Sequence, residues 1–160
     1  MGKSSKLKYI IIIISVVLTL TGVVIWGTLQ NNDNLEENTV VEINGETSKT
    51  LKADIKGLYP GQTVDYTISL TGDYAEEYST TLNFFGDNGG ALKKYMLVCI
   101  ATENVTLEKP LQELLDGEAI SLGQGISQVT ISYTMPIETG DEAQGASVVF
   151  YVELNAKNVE

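Results

Sequence analysis

The chain has 160 residues, about one domain's worth, with ten Lys against 21 Asp plus Glu, a net charge of −11, no Arg, no His and one Cys. Without His there is no Ser-His-Asp triad, no His general base, no zinc finger that needs His ligands and no HExxH protease helix. One Cys excludes an internal disulfide framework and a CxxC redox pair, and an acidic chain without Arg is poorly suited to nucleic-acid phosphates, so no nucleic-acid partner is expected.

The charge is unevenly spread. Residues 1–29 carry Lys3, Lys6 and Lys8 and no acid, whereas the rest of the chain holds seven Lys and 21 acids. Tyr9 to Leu29 is 21 residues without a charge. As a helix this run would be about 31 Å long, near the hydrocarbon thickness of a bilayer. Ile10, Ile14, Leu18, Val23 and Trp26 mark the predicted membrane-spanning segment, with Trp26 near its outer end. Lys before the run and Asp33, Glu36 and Glu37 after it place the N-terminus in the cytoplasm and the acidic body outside. An uncleaved signal-anchor fits the length of the run. A secretory signal peptide has the same basic start, and its removal would make the protein secreted.

Residues 30–48 read as a polar tether leading to a first strand. Gln30-Asn31-Asn32-Asp33-Asn34 has no apolar periodicity and favours a loop, Val40, Val41 and Ile43 suit a short strand, and Asn44-Gly45 is a turn dipeptide.

Residues 49–160 read as β. After the Pro60-Gly61 turn, Val64, Tyr66, Ile68 and Leu70 alternate with Thr63, Asp65, Thr67 and Ser69, the period of a half-buried strand. Thr80, Leu82 and Phe84 continue the pattern up to the turn Gly86-Asp87-Asn88-Gly89-Gly90. Lys93 to Ala101 is apolar on both faces, which predicts a central buried strand with Cys99 packed inside it. Pro110 to Asp116 is the one helical patch: Pro110 suits a first helical position, Leu111, Leu114 and Leu115 share a face, and Gly117 can close it. Val129, Ile131, Tyr133 and Met135 alternate with polar neighbours, and Val148, Phe150, Val152 and Leu154 repeat the pattern. Strands at this spacing predict an all-β, antiparallel β-sandwich with one short crossover helix.

Two stretches carry a family resemblance. Leu58-Tyr59-Pro60-Gly61-Gln62-Thr63-Val64-Asp65-Tyr66-Thr67-Ile68 is similar to a strand entry of the pattern L-x-P-G-x-x-x-x-Y-x-I. Ile131 to Pro136, then Thr139-Gly140-Asp141-Glu142-Ala143-Gln144-Gly145-Ala146 and the strand Val148 to Ala156, make a strand–proline–TG(N/D)E-x-Q-G–strand ending. Together they resemble the TasA/camelysin-like (SipW-dependent) surface proteins of Gram-positive bacteria, over roughly residues 50–157. The resemblance implies a jelly-roll sandwich at the cell surface and, for some members, biofilm fibres in which an N-terminal segment of one subunit completes the sheet of the next. Val40, Val41 and Ile43 would be the strand-exchange residues here. The family's aromatic-rich A-Y-F-x-D segment has no counterpart at Val24 to Asn31.

No catalytic, cofactor-binding or metal-ligating residue is expected. The metalloprotease activity ascribed to some of that family lacks His ligands in this chain. Asp87-Asn88-Gly89-Gly90 and Gly140-Asp141-Glu142 supply oxygens that suit Ca²⁺, yet neither matches a Ca²⁺ loop, and turn chemistry accounts for both. Asp73, Glu76 and Glu77, beside Tyr74 and Tyr78, read as a solvated acidic loop. The expected function is a non-enzymatic surface or matrix protein with the membrane and other copies, or a related surface protein, as partners. The alternative is a tethered glycan- or peptide-binding module, favoured if several Tyr share an exposed face.

Overall fold

A computed structural model describes residues 33–72, 78–87 and 89–159. The proposed membrane segment, with Ile10, Ile14, Leu18, Val23 and Trp26, lies outside the described residues, as do Asp73, Tyr74, Glu76, Glu77 and Asn88. Among the described residues no helix is long and apolar enough to cross a membrane.

Among the described residues, ten strands form two five-stranded sheets. They are β1 (Asp33–Asn34), β2 (Asn38–Glu42), β3 (Thr47–Lys56), β4 (Thr63–Thr71), β5 (Tyr78–Phe85), β6 (Leu97–Ala101), β7 (Thr106–Pro110), β8 (Ile120–Gln124), β9 (Gln128–Thr134) and β10 (Ser147–Asn158). One sheet has the order β1-β3-β10-β5-β8 and the other β2-β4-β9-β6-β7. The chain passes from sheet to sheet at nearly every connection, and the short helix α1 (Leu111–Leu115) carries the crossover from β7 to β8.

Alternation builds the core. Leu51, Ala53 and Ile55 of β3, Leu82 and Phe84 of β5, and Val148, Phe150, Val152 and Leu154 of β10 are buried from one sheet. Ile68 and Leu70 of β4, Val98 and Ile100 of β6, and Val129, Ile131 and Tyr133 of β9 are buried from the other. These side chains form one cluster. Tyr133 meets Phe150 of the opposite sheet edge to face, with ring centroids 5.7 Å apart, and meets Tyr66 of its own sheet at 5.5 Å, the arrangement that opposes negative faces to positive edges.

Five sequence expectations need correction. The edges β1 and β2 run parallel to β3 and β4, so the sandwich is not wholly antiparallel. Asp33-Asn34 is strand, not loop, because the backbone of β3 supplies partners that its own side chains do not suggest. Lys93 to Ala101 is not one buried strand: Ala91–Lys94 is a 3-10 turn that buries Leu92, and only Leu97–Ala101 enters the sheet. Within that strand Val98 and Ile100 face the core while Cys99 lies half-buried on the outer face. Pro110 ends β7 in an extended conformation and precedes the helix instead of opening its first turn.

Four of the six described tyrosines serve the core. Tyr78 and Tyr133 are fully buried, and Tyr66 and Tyr95 pack against the cluster. Tyr78 donates its hydroxyl to the carbonyl oxygen of Ile126. Tyr133 Oη and Thr80 Oγ1 are buried and find no hydrogen-bond partner among the described residues. Burial, and then the neighbouring Tyr66, hold the Tyr133 phenol well above its ordinary pKa, so it stays neutral. The ring, not the hydroxyl, therefore provides its contribution. Tyr133→Phe is expected to leave stability unchanged or raise it by about 1 kcal/mol, since an unmade hydrogen bond is removed. Tyr133→Ala is expected to cost about 3–5 kcal/mol. Denaturant unfolding of both variants checks the pair, and a clear loss in Tyr133→Phe would show that the hydroxyl is bonded.

Candidate functional site

The segment Asp33 to Ile43 lies along one side of the sandwich and contributes to both sheets. β1 pairs with β3 through Asp33 opposite Leu51 and Asn34 opposite Lys52. The chain then crosses: the Leu35 amide donates to the Lys52 carbonyl at 2.8 Å, and the Thr67 amide donates to the Glu37 carbonyl at 2.9 Å. β2 runs beside β4 from Asn38 opposite Thr67 to Glu42 opposite Thr71. The Ile43 amide then donates to the Thr71 carbonyl at 2.6 Å.

The predicted strand-exchange residues divide between the two faces of β2 and its end. Val41 and Ile43 are buried in the common core, together with Leu35. Val40 points outward and is 65% exposed. This follows from the period of two, since neighbours on a strand face opposite ways. Burying Leu35, Val41 and Ile43 contributes about 1.5–3 kcal/mol each.

Gly72 was not singled out from sequence, and it decides how β2 ends. Its φ is +143°, and a Cβ there would collide with the carbonyl oxygen of Ile43. Only a residue without a side chain lets the end of β4 pass so close to the end of β2. A single Gly inside a polar stretch gives no sign of this, because the approaching backbone lies about thirty residues earlier in the chain.

The other sheet edges are protected. β7 carries Glu108, Lys109 and Pro110 on its short length, and β8 is irregular, with a register shift against β5 at Thr80/Thr81 and Gly123 at φ +99°. Charge, proline and bulges are the usual means of discouraging strand addition.

Three further features stand outside this edge. Asp87 receives two hydrogen bonds from Lys93 Nζ, at 3.0 and 2.9 Å, and one from the Gly89 amide at 2.5 Å. The Lys93 hydrogen bond, then that of Gly89, hold its carboxyl below the usual range. Its oxygens are thus engaged within the turn, and among the described residues no group of three or more Asp, Glu, Cys or His is placed to hold a metal ion. On the outer face of the β4–β9–β6 sheet, Ala101, Thr102, Glu103, Gln128 and Thr130 line an open cleft of about 310 Å³, with Ser127 Oγ donating to Glu103 at 2.7 Å. On the outer face of the other sheet, Phe85 and Tyr151 stack with centroids 5.6 Å apart and planes at 26°. Cys99 lies across the strands from Ser132 and Glu108.

No family model matches the chain, and no curated protein matches its sequence. Among solved structures, the chain is similar to PliG of Salmonella Typhimurium, a periplasmic inhibitor of g-type lysozyme, at 12% identity and a TM-score of 0.42, over 76% of this chain and 99% of that one. A mutant of PliG from Escherichia coli gives 14% and 0.41 over 75% and 97%, and FlhE gives 13% and 0.41 over 72% and 100%. At such values the function of this chain has to be argued from its own geometry.

Gly72→Ala tests the close approach that seats β2. It is expected to cost about 1–3 kcal/mol, the scale of a forced backbone clash, and to remove hydrogen-exchange protection from the Ile43 amide while sparing the centre of β10. Full protection at Ile43 in the variant would show that the approach is not tight.

Proposed function

We propose that this chain is a non-enzymatic structural protein of the cell surface or extracellular matrix, in which β2 of one copy completes the sheet of another. The observation that carries the reading is the seating of residues 33–43. This stretch lies at the edges of both sheets, inserts Leu35, Val41 and Ile43 into the core, and is joined to the rest of the described fold only through the turn at Asn44-Gly45. An edge segment attached to the rest of the described fold by one short turn can leave its own edge and occupy the same edge of a second copy. All native contacts are then kept, and only the hinge changes.

The hinge has the chemistry for this. Gly45 takes φ +70°, and the Asn44 amide donates to Thr47 Oγ1 at 3.1 Å. Opening it breaks few contacts, because both Gly45 and Asn44 are exposed. An exchanged strand keeps the parallel direction and register that β2 has against β4, and when it is passed onward from copy to copy, not back to its donor, the contact is head to tail. Such contacts do not close on themselves unless the rotation between copies happens to form a ring, so they extend into fibres.

The sequence resemblance to TasA/camelysin-like surface proteins, with its jelly-roll sandwich, agrees with this reading, and so does the basic, then apolar, start of the chain that would export the acidic body. An uncleaved segment would hold each copy at the membrane. A cleaved one would release it into the matrix.

Val40 and Ser69 face each other across β2 and β4, a spacing of about 4.8 Å that a disulfide can span. In a Val40→Cys/Ser69→Cys variant that also carries Cys99→Ser, the reading expects oxidised material from the cell surface to run as a ladder of interchain multimers on non-reducing gels. A purely intrachain disulfide at every concentration would show that β2 stays in its own chain.

A further inference from the structure

We infer that Asn44-Gly45 is a site of spontaneous covalent modification: Asn44 closes onto the Gly45 amide, loses ammonia and reopens as aspartate or isoaspartate, which loosens the seat of residues 33–43. The reaction and its effect on that seat stand apart from strand exchange. Only a consequence for assembly rests on the exchange proposed above.

Ring closure needs a following amide nitrogen that is unhindered and unbound. The chain has two Asn-Gly pairs, Asn44-Gly45 and Asn88-Gly89, and the surroundings of the two glycine amides differ. Gly45 is exposed at φ +70°, with nothing within 4 Å of where a Cβ would stand, and its amide makes no hydrogen bond among the described residues. The Gly89 amide donates to Asp87 Oδ1 at 2.5 Å. An amide has to lose its proton before it can attack, and a carboxylate in contact with it opposes the resulting anion. Glu42 and Glu46 flank Asn44, but both are exposed, so water weakens their effect. The Asn44 side chain is held only by an exposed hydrogen bond from Nδ2 to Glu42 Oε1 at 3.2 Å, which water readily replaces.

The chemistry balances with water alone. Once the Gly45 amide has given its proton to solvent, its nitrogen bonds to Asn44 Cγ. The Cγ–Nδ2 bond breaks, and Nδ2 leaves as ammonia with a proton taken from solvent. The five-membered imide then takes up one water. Opening at Cγ gives aspartate. Opening at the main-chain carbonyl gives isoaspartate, in which the chain runs through Cβ and Cγ and is one methylene longer. Nothing is oxidised or reduced. Both products place a new carboxylate between Glu42 and Glu46. The longer backbone also no longer matches the turn that sets the Asn44 amide on Thr47 Oγ1 at 3.1 Å. One residue earlier the Ile43 amide meets the Thr71 carbonyl at 2.6 Å, where Gly72 leaves no slack. The change therefore falls beside the tightest point of the β2 seat.

The test follows the full-length chain in detergent at mildly alkaline pH, with peptide mapping by mass spectrometry over time. Asn44 is expected to convert about tenfold faster than Asn88, the scale of one hydrogen bond to a charged group, and to give aspartate and isoaspartate together. Asp87→Ala, which bares the Gly89 amide, is expected to bring Asn88 towards the Asn44 rate. In the aged chain the Ile43 amide is expected to exchange its hydrogen about tenfold faster, the scale of one lost hydrogen bond, while the centre of β10 is unchanged. Asn44→Gln, aged alike, is expected to keep its protection, because its ring would have six members and closes far more slowly. Three results would each overturn the inference: Asn44 outlasting Asn88, aspartate forming without isoaspartate, or full conversion with Ile43 still protected. The Val40→Cys/Ser69→Cys ladder reads exchange by itself, so a failure there and a failure here are told apart.

Discussion

Parallel pairing of residues 33–43 along one side of the sandwich is the constraint on which the other features rest. Two sheets packed face to face leave open edges, and each edge presents unpaired amides and carbonyls. On this side a single segment serves both edges. β1 takes the edge of β3, Leu35 crosses between the layers, and β2 takes the edge of β4. The crossing buries a leucine at the seam, and the strand that follows delivers Val41 and Ile43 into the core. A domain of this size is stable by only about 5–15 kcal/mol, so three buried aliphatic side chains on one edge segment are a large fraction of what holds the layers together.

The same arrangement explains why this edge is special among the four. β7 and β8 end their sheets with charge, proline or irregular register. The β2 edge instead has a regular five-residue ladder and a glycine, Gly72, that makes room for the Ile43 carbonyl. An edge adapted to receive a strand from a distant part of the chain can equally receive it from another chain. The outer faces divide differently. The β4–β9–β6 face is rich in hydroxyls, with Thr63 and Thr134 hydrogen-bonded at 2.8 Å, whereas the opposite face carries the Phe85–Tyr151 pair. Assembly along an edge leaves both faces open to the surroundings.

The strongly alternating strands were legible because burial on one face writes a period of two into the residues. Val64 to Leu70, Val129 to Met135 and Val148 to Leu154 all lie where that period places them. The helix at Leu111 was legible for the corresponding reason, three leucines on one face. The run from Lys93 to Ala101 misled because continuous apolar sequence does not reveal a change of backbone: Leu92 and Met96 reach the core from a turn and its exit, and Val98 and Ile100 from a strand. β1 left no trace because an edge strand of two polar residues is specified by its partner's backbone and not by its own side chains. The apolar character of Val40, Val41 and Ile43 marked an interaction segment, but its parallel direction and its dependence on Gly72 are properties of contacts between distant residues, which spacing along a chain does not encode.

The most direct measurement is complementation in two pieces: a chain beginning at Asn44, mixed with a synthetic peptide covering residues 33–43. If this segment completes both sheets, the shortened chain alone loses hydrogen-exchange protection along β3 and β4 and unfolds at lower denaturant. The peptide then binds and restores both properties. A shortened chain that unfolds at the same midpoint as the full chain and ignores the peptide would contradict the account.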